Sequence, residues 1–314
     1  MLGVLGIDVS KEQLKTALWD KQEERFRWEK GFRRDAAGVC ALLKATPPEV
    51  PWVLEPTGRY SLFVAKMAQE AGRSVLLASS RSAKQYLESL HPRAKTDRLD
   101  SQGLAHYAAT RPRTKPLPPY PIKSEPVEHL DQLLQARKGL ALALMKLRQQ
   151  AKELPYAQEV LASAIADLEQ RQKVADRQIA ALAGEYPEVK KLQAVPGIGP
   201  VVSAAMVSRL KARGFGHPDQ FVAYVGLDVR TLDSGQRKGK RGLSKHGDAE
   251  LRRLLFLAAR SSLTAKNSPF KAQYQRELAK GMSKTAAACA VARKLARLCW
   301  SMVKHGTKYD AARV

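Results

Sequence analysis

Four acidic residues lie at the predicted ends of secondary-structure elements: Asp8, Glu55, Asp97 and Asp100. Asp8 follows an apolar run that starts at residue 3, and Glu55 directly follows the apolar run at residues 52–54. Asp97 and Asp100 are three residues apart, so on a helix both project from one face. Carboxylates that converge in a dry pocket repel one another unless a cation neutralises them, and oxygen ligands suit Mg²⁺, or Mn²⁺ in its place. Two such ions about 4 Å apart would polarise a phosphodiester and stabilise charge on its attacking and leaving oxygens.

Each of these carboxylates also has a structural interpretation when it is taken singly. Asp8 would cap a turn, Glu55 would be a solvated loop residue, and Asp97 and Asp100 would suit a helix N-terminus. The occurrence of all four at element ends favours the metal site.

Two serines, Ser234 and Ser244, lie in a strongly basic segment. Residues 230–260 hold nine Lys and Arg against three acidic residues. A hydroxyl surrounded by cations can attack phosphorus, because the cations offset charge on the pentacovalent transition state, and both serines qualify on chemistry alone. The alternative is a solvated basic segment that only contacts nucleic-acid phosphates. The side chains predicted to contact nucleic acid are Arg237, Lys238, Lys240, Arg241, Lys245, His246, Arg252 and Arg253.

A glycine-containing turn precedes an apolar helix at residues 195–199, with the sequence VPGIG. Such a turn exposes backbone N–H groups that can bind a phosphate without reading base sequence, which makes Gly197 and Gly199 candidate nucleic-acid contacts. The turn resembles that of a helix-hairpin-helix motif. A plain glycine-rich connection between two helices is the alternative.

The charge of the chain indicates a polyanionic partner. Its 314 residues include 54 Lys and Arg against 30 Asp and Glu, a formal charge of +24. Residues 201–314 alone hold 23 Lys and Arg against 7 Asp and Glu. Nucleic acid is the expected partner, and an acidic membrane surface is a weaker alternative.

The sequence predicts neither a membrane span nor a disulfide framework. No stretch approaches the ~18–20 apolar residues of a membrane helix, and Asp8 comes too early for a signal peptide. Cys40, Cys289 and Cys299 are odd in number and lack paired metal-ligand spacing. A cytoplasmic protein without membrane contact is expected.

The predicted fold class is α/β followed by all-α. Residues 1–112 show the order β-β-β-α-β-α-β-α, and residues 113–126 form a Pro-rich linker that is neither helix nor central strand. Residues 127–185 form a helical hairpin, because apolar residues recur at heptad spacing on both sides of Pro155 and only Arg137 interrupts the first seam. The hairpin is interpreted either as two helices packed on each other or as a dimerisation element. Residues 186–314 are predicted to be helical.

Seven motifs in order along the chain resemble those of insertion-sequence-110 family transposases, to which the Piv-type DNA invertases are related. They are GIDVSK (6–11), EPTGRY (55–60), KTDRLD (95–100), VPGIG (195–199), FVAYVGL (221–227), DSG (233–235) and LSKHG (243–247). The resemblance covers nearly the whole chain.

This resemblance implies a ribonuclease-H-like, RuvC-like N-terminal domain whose DEDD site is Asp8, Glu55, Asp97 and Asp100. It implies a C-terminal transposase domain in which Ser234 is the nucleophile. Members of the family are recombinases guided by a structured bridge RNA that pairs with donor and target DNA. They assemble as homo-oligomers, so a dimer or tetramer is implied.

The resulting hypothesis is a DNA recombinase that cleaves and rejoins strands through a covalent serine–DNA intermediate. One alternative is a RuvC-like metal-dependent junction nuclease that uses the basic region only for binding. Another is a non-catalytic nucleic-acid-binding protein in which the carboxylates are structural.

Overall fold

A computed structural model describes residues 3–90, 97–112, 114, 116–230, 242–266 and 268–313, apart from the side chains of residues 90, 97, 98 and 313. The chain divides into two compact units, residues 1–122 and 123–314. The hairpin and the C-terminal helices, which the sequence predicts as separate regions, belong to the second unit.

The first unit is built on a five-stranded sheet. Its strands are β1 (Gly3–Val9), β2 (Gln13–Asp20), β3 (Arg25–Arg33), β4 (Trp52–Leu54) and β5 (Val75–Leu77), in the spatial order β3-β2-β1-β4-β5. The first three strands form an antiparallel meander, whereas β4 pairs in parallel with both β1 and β5. The predicted mixed α/β class of this region is confirmed.

Helices cover both faces of the sheet because the central strands are apolar on both sides. Helices α1 (Ala36–Ala45) and α2 (Arg59–Glu70) pack on the face that carries Leu5 and Ile7. Helices α3 (Ser80–Leu90) and α4 (Asp97–Ala109) contribute to the core on the face that carries Val4 and Val53.

Residues 118–120 of the predicted Pro-rich linker pair with β5, and the chain divides into its two units after residue 122, inside that predicted range. The amide of Leu77 donates to the carbonyl of Pro118 at 2.8 Å, and the amide of Tyr120 donates to the carbonyl of Val75 at 2.8 Å. Proline is tolerated in an edge strand because only one side of that strand has to pair. The segment therefore extends the sheet beyond β5, and the buried side chains of Leu117 and Tyr120 attach it there.

The second unit begins with the predicted helical hairpin. Helix α5 (Glu125–Glu153) and helix α6 (Gln158–Ala183) are joined by a short 3₁₀ turn at Pro155–Ala157. Pro126, the last residue of the predicted linker, lies in the first turn of α5, where the backbone N–H that proline lacks has no helical partner anyway. Arg137, the interruption in the seam, forms an ion pair with Asp176 of α6 at 2.5 Å.

The remaining elements form one helical core with the base of the hairpin. They are α7 (Pro187–Gln193), α8 (Pro200–Ala212), α9 (Pro218–Val225), β6 (Val229–Arg230), β7 (Gly242–Leu243), α10 (Ala249–Ser262), α11 (Phe270–Ala279) and α12 (Lys284–His305). Leu130 of α5 and Ile179 of α6 are buried in the same cluster as Phe221, Leu255 and Val291. The helical C-terminal region is thus as predicted. None of the helices within the described ranges is long and apolar enough to span a bilayer.

Candidate functional site

The ends of β1 and β4 bring two of the predicted acidic residues side by side. The parallel register pairs Ile7 with Leu54, so Asp8 and Glu55 come next on adjacent strands. Because side chains alternate along a strand, Asp8 shares a face with Gly6, and Glu55 shares that face with Val53. Asp8 and Glu55 are both half-buried.

Helix α4 lies directly on this face of the sheet. A Cβ atom added to Gly6 would lie 2.5 Å from the amide nitrogen of Ala105 and closer still to the carbonyl oxygen of Ser101. Glycine is therefore required for the backbone of α4 to approach β1 this closely. Asp100 immediately precedes Ser101 in the first turn of α4 and is half-buried.

The fourth predicted carboxylate, Asp97, is the first residue of α4, and its side chain lies outside the described residues. Within the described part of the chain, no three His, Cys, Asp or Glu side chains are close enough together to hold a metal ion. The carboxylate oxygens of Asp8 and Glu55 are of the type that a hard divalent cation prefers.

The basic segment is closed at its base by a two-stranded hairpin. Val229 pairs with Leu243 and Arg230 pairs with Gly242, so β6 and β7 flank residues 231–241. Ser234, Arg237, Lys238, Lys240 and Arg241 are predicted site residues that lie outside the described residues.

Ser244, the second candidate nucleophile, is part of the base of this hairpin. Its hydroxyl donates to the carboxylate of Asp228, and its amide donates to the carbonyl of Asp228 at 2.9 Å. The residue is buried. The hydroxyl of Ser244 is therefore buried and engaged with Asp228.

The described basic residues near the hairpin occupy different environments. Lys245 is exposed, with φ of +54°, and the Nε2 atom of His246 lies 3.2 Å from Nη1 of Arg230. Arg252 donates to the carbonyl of Val225 at 3.0 Å, which ties α10 to the turn after α9. Arg253 forms two hydrogen bonds with Glu250, so its charge is locally neutralised. Lys245, His246 and Arg253 are exposed, whereas Arg252 is half-buried.

The two glycines of the VPGIG turn also differ. A Cβ added to Gly197, whose φ is +87°, would lie 2.7 Å from the amide nitrogen of Ser262. Gly197 is thus needed for close packing against α10. Gly199 is the N-cap of α8 and has open space around its α carbon, so it remains the better candidate for a phosphate contact.

The second unit contains a buried network of charged side chains that the sequence does not predict. Arg209 of α8 donates to Asp131 of α5 and, at 3.1 Å, to Asp248, while Lys123 and Ser208 also donate to Asp131. Although burial opposes the shift, the negative charges of Asp131 and Asp248 raise the pKa of Arg209. Asp248 also caps α10 through the amide of Leu251. No local pattern links these residues, because Asp131 and Arg209 are 78 positions apart.

Comparison with known proteins defines the class to which this arrangement belongs. A DEDD-type transposase family model described as "Transposase" matches residues 5–154, and the model of the IS116/IS110/IS902 transposase family matches residues 189–275. The two matched regions include Asp8, Glu55, Asp100 and the hairpin at residues 229–243. The class is DNA transposases and recombinases.

Named relatives agree with this class. A probable family 20 transposase of Pseudomonas aeruginosa is 26% identical over 78% of this chain and 81% of its own length. The pilin gene-inverting protein of Moraxella bovis is 27% identical over 82% of this chain and 81% of its own length. The transposase for insertion sequence element IS1328 of Yersinia enterocolitica is 30% identical over 38% of this chain and 37% of its own length. The two family models and these names together support a transposase of the IS116/IS110/IS902 family.

Proposed function

We propose that this transposase cleaves and rejoins DNA strands through a covalent bond between Ser234 and a DNA phosphate, assisted by a divalent cation at Asp8, Glu55, Asp97 and Asp100. The observation that carries the proposal is the close approach of α4 to β1 at Gly6. This approach supports a RuvC-like, ribonuclease-H-like acidic site, because it aligns the start of α4 with Asp8 and Glu55 on one sheet face.

The serine step conserves the energy of the phosphodiester. The Oγ atom of Ser234 bonds to phosphorus and releases its proton, while the bond from phosphorus to one deoxyribose oxygen breaks and that oxygen leaves as a hydroxyl. The phosphoester to serine then reacts with a deoxyribose hydroxyl of another strand, which restores the serine. No nucleotide cofactor is required, because one phosphoester replaces another at each step.

The acidic residues hold the reacting group in place. Asp8 lies on β1, Glu55 directly follows β4, and Asp100 lies on a helix whose distance from β1 is set by Gly6. When bound there, Mg²⁺ or Mn²⁺ polarises the phosphodiester and offsets charge on its oxygens. Lys15 is opposite Asp8 in the β1–β2 register and adds a positive charge beside the same site.

We further propose that a structured bridge RNA pairs with donor and target DNA, and that the protein works as a dimer or tetramer. These proposals rest on the resemblance to the family. They agree with the 23 Lys and Arg among residues 201–314, because a protein that holds RNA and DNA by their phosphates needs charge rather than base-reading side chains.

The test is to look for a protein–DNA adduct that resists denaturation. Protein expressed with the non-coding ends of its own element is incubated with donor and target DNA and Mg²⁺, then analysed on a denaturing gel. Ser234→Ala should abolish the adduct, whereas Ser244→Ala, the matched serine of the same segment, should retain it. Ribonuclease treatment beforehand should also abolish it if RNA guides the reaction. An adduct that persists in Ser234→Ala would refute the serine assignment.

The acidic face also favours one second candidate, a metal-dependent junction nuclease. That enzyme would release free hydroxyl ends and form no adduct. Asp8→Asn and Glu55→Gln should stop strand cleavage under either candidate, while a non-catalytic binding protein would show no change in these variants. The adduct and the cleavage assays together distinguish all three.

A further inference from the structure

Two arginine side chains lie against the ring of Tyr60 in the first unit, and the charge of Lys11 acts on the same tyrosine. The guanidinium carbon of Arg34 lies 4.4 Å from the centre of the Tyr60 ring, and that of Arg59 lies 5.2 Å from it. The Nε atom of Arg34 donates to the carbonyl of Lys11 at 2.6 Å, which brings the Lys11 backbone to the same place. A hydrogen bond from Arg59, together with the charges of Lys11 and Arg34, lowers the pKa of the Tyr60 hydroxyl. We refer to Lys11, Arg34, Arg59 and Tyr60 as the cationic cluster.

The charge of this cluster is not balanced by nearby acids. Among the described residues, no carboxylate forms an ion pair with Lys11, Arg34 or Arg59 within 4.0 Å. Arg33, the neighbour of Arg34, differs because its guanidinium pairs with Asp35 at 2.9 Å. Three cations held together without a counter-charge repel one another, and an anion would relieve this repulsion.

The cluster also has space and donors for an anion. Gly58 is the N-cap of α2 and has φ of +70°, and a Cβ added there would meet nothing within 4 Å. No side chain caps this end of α2. The helix dipole therefore adds positive potential beside Arg59, on a side where the chain leaves room.

The cationic cluster lies close along the chain to two residues of the candidate acidic site. Lys11 follows Asp8 by three residues, and Arg59 follows Glu55 by four. Both segments leave the sheet at the same edge, where β1 and β4 end. Tyr60 packs against the sheet face that carries Ile7, whereas Asp8 and Glu55 lie on the other face. A nucleic-acid strand that crosses this edge would pass both features.

We propose that the cationic cluster binds a backbone phosphate of the nucleic-acid strand that crosses the sheet edge beside the acidic residues. This inference rests on the proposed function, because it assumes that a strand reaches that edge. The arginine side chains suit the ligand, since a guanidinium donates two parallel hydrogen bonds to phosphate oxygens. The phenol of Tyr60 holds the two guanidinium groups in position and offers a further donor.

The experiment measures how binding depends on salt, without any chemistry. The full-length protein is titrated into fluorescein-labelled 20-nucleotide single strands, one of DNA and one of RNA, at several NaCl concentrations in EDTA. Arg59 is exposed, so Arg59→Gln should fold, which thermal unfolding verifies. Its plot of log affinity against log salt should be shallower than wild type by about 0.7, the value for one lost phosphate contact with a single strand.

The matched control is Arg33→Gln, which removes the same charge from a side chain that Asp35 already neutralises. Its slope should equal that of the wild type, and Arg59→Lys should retain most of the wild-type slope. A reduced slope for DNA alone or for RNA alone supports the proposal and identifies the strand that occupies the cluster. Equal slopes for Arg59→Gln and Arg33→Gln on both strands would overturn it. Because EDTA prevents metal-dependent cleavage, this outcome is independent of whether Ser234 forms an adduct.

Discussion

At the scale of single residues, the candidate acidic site depends on Gly6, which has no side chain to separate β1 from α4. Gly6 lies two positions before Asp8 on the same face of β1, and its hydrogen lets the backbone of α4 touch the strand. The acidic residues themselves are recognisable in the sequence, because each ends an apolar run or starts a helix. The contact between Gly6 and Ser101 cannot be recognised in the sequence, because the two residues are 95 positions apart and a single glycine does not indicate what packs against it.

Gly6→Ala should therefore push α4 away from β1. Overpacking of a buried contact costs roughly 1–3 kcal/mol, and metal-dependent cleavage should fall with the stability. Urea unfolding followed by tryptophan fluorescence measures the stability, because Trp19, Trp28 and Trp52 all belong to the first unit. Gly31→Ala is the matched control, since its nearest neighbour would be 3.7 Å away. Equal unfolding midpoints for the two variants would contradict this account of Gly6.

At the scale of elements, the helices of the second unit follow the sequence closely. The heptad pattern predicts two helices that either pack on each other or form a dimer. The structure shows α5 packed on α6, with Arg137 paired to Asp176. The structure of the Pro-rich segment at residues 113–126 follows less directly from its sequence. Proline excludes helix interiors and central strands, but it permits a first helical turn and a sheet edge, and Pro126 and Pro118 occupy these two places.

The start of α10 shows how one carboxylate links several elements. Asp248 caps α10 and accepts from Arg209, which also binds Asp131 of α5. Burial opposes ionisation, but the amide of Leu251 and the charge of Arg209 together hold the pKa of Asp248 below its usual value of 3.8. A lowered folded-state pKa contributes stability that is complete above the unfolded-state pKa and is lost as pH falls through the folded-state pKa.

Asp248→Asn should consequently be less stable than wild type at pH 7 by about 1–2 kcal/mol, because it retains a cap but loses a charge-assisted hydrogen bond. The difference should shrink below pH 3.8 as the wild-type carboxylate becomes protonated. Urea unfolding at pH 7, 5, 4 and 3 measures both effects. Asp167→Asn, which breaks an exposed pair with Arg171, should change stability by less than about 0.5 kcal/mol throughout. A constant difference for Asp248→Asn at all pH values would rule out this linkage.

At the scale of the whole molecule, the formal charge of +24 is a destabilising force as well as a means of binding. Residues 201–314 carry most of the excess. Like charges on one compact unit repel one another, and added salt screens this repulsion over about 10 Å at 0.1 M. The sequence predicts the net charge directly, because composition alone determines it. The arrangement of Arg34 and Arg59 around Tyr60 arises only when the end of β3 meets the start of α2.

Raising NaCl from 20 to 200 mM should accordingly increase the thermal unfolding midpoint by a few degrees, as screening of the net charge outweighs the weakening of surface ion pairs. Differential scanning calorimetry measures the shift. Sucrose at the same osmolality serves as the uncharged control and should give a smaller increase at this concentration. A midpoint that decreases with salt would indicate that specific ion pairs dominate over net repulsion.

The strand-like segment beyond β5 has a consequence for the behaviour of the protein in a crowded solution. A sheet edge with free N–H and C=O groups is a template on which another chain can add, and this leads to aggregation. Pro118 and Tyr120 direct their backbone groups toward β5, so Pro119 and Pro121 alternate toward the outer side. Because these two prolines have no amide hydrogen, the outer side is a poor template for a further strand. The prolines thus protect the sheet from the addition of a strand from another molecule. A fragment that ended at residue 112 would expose β5 and lose that protection.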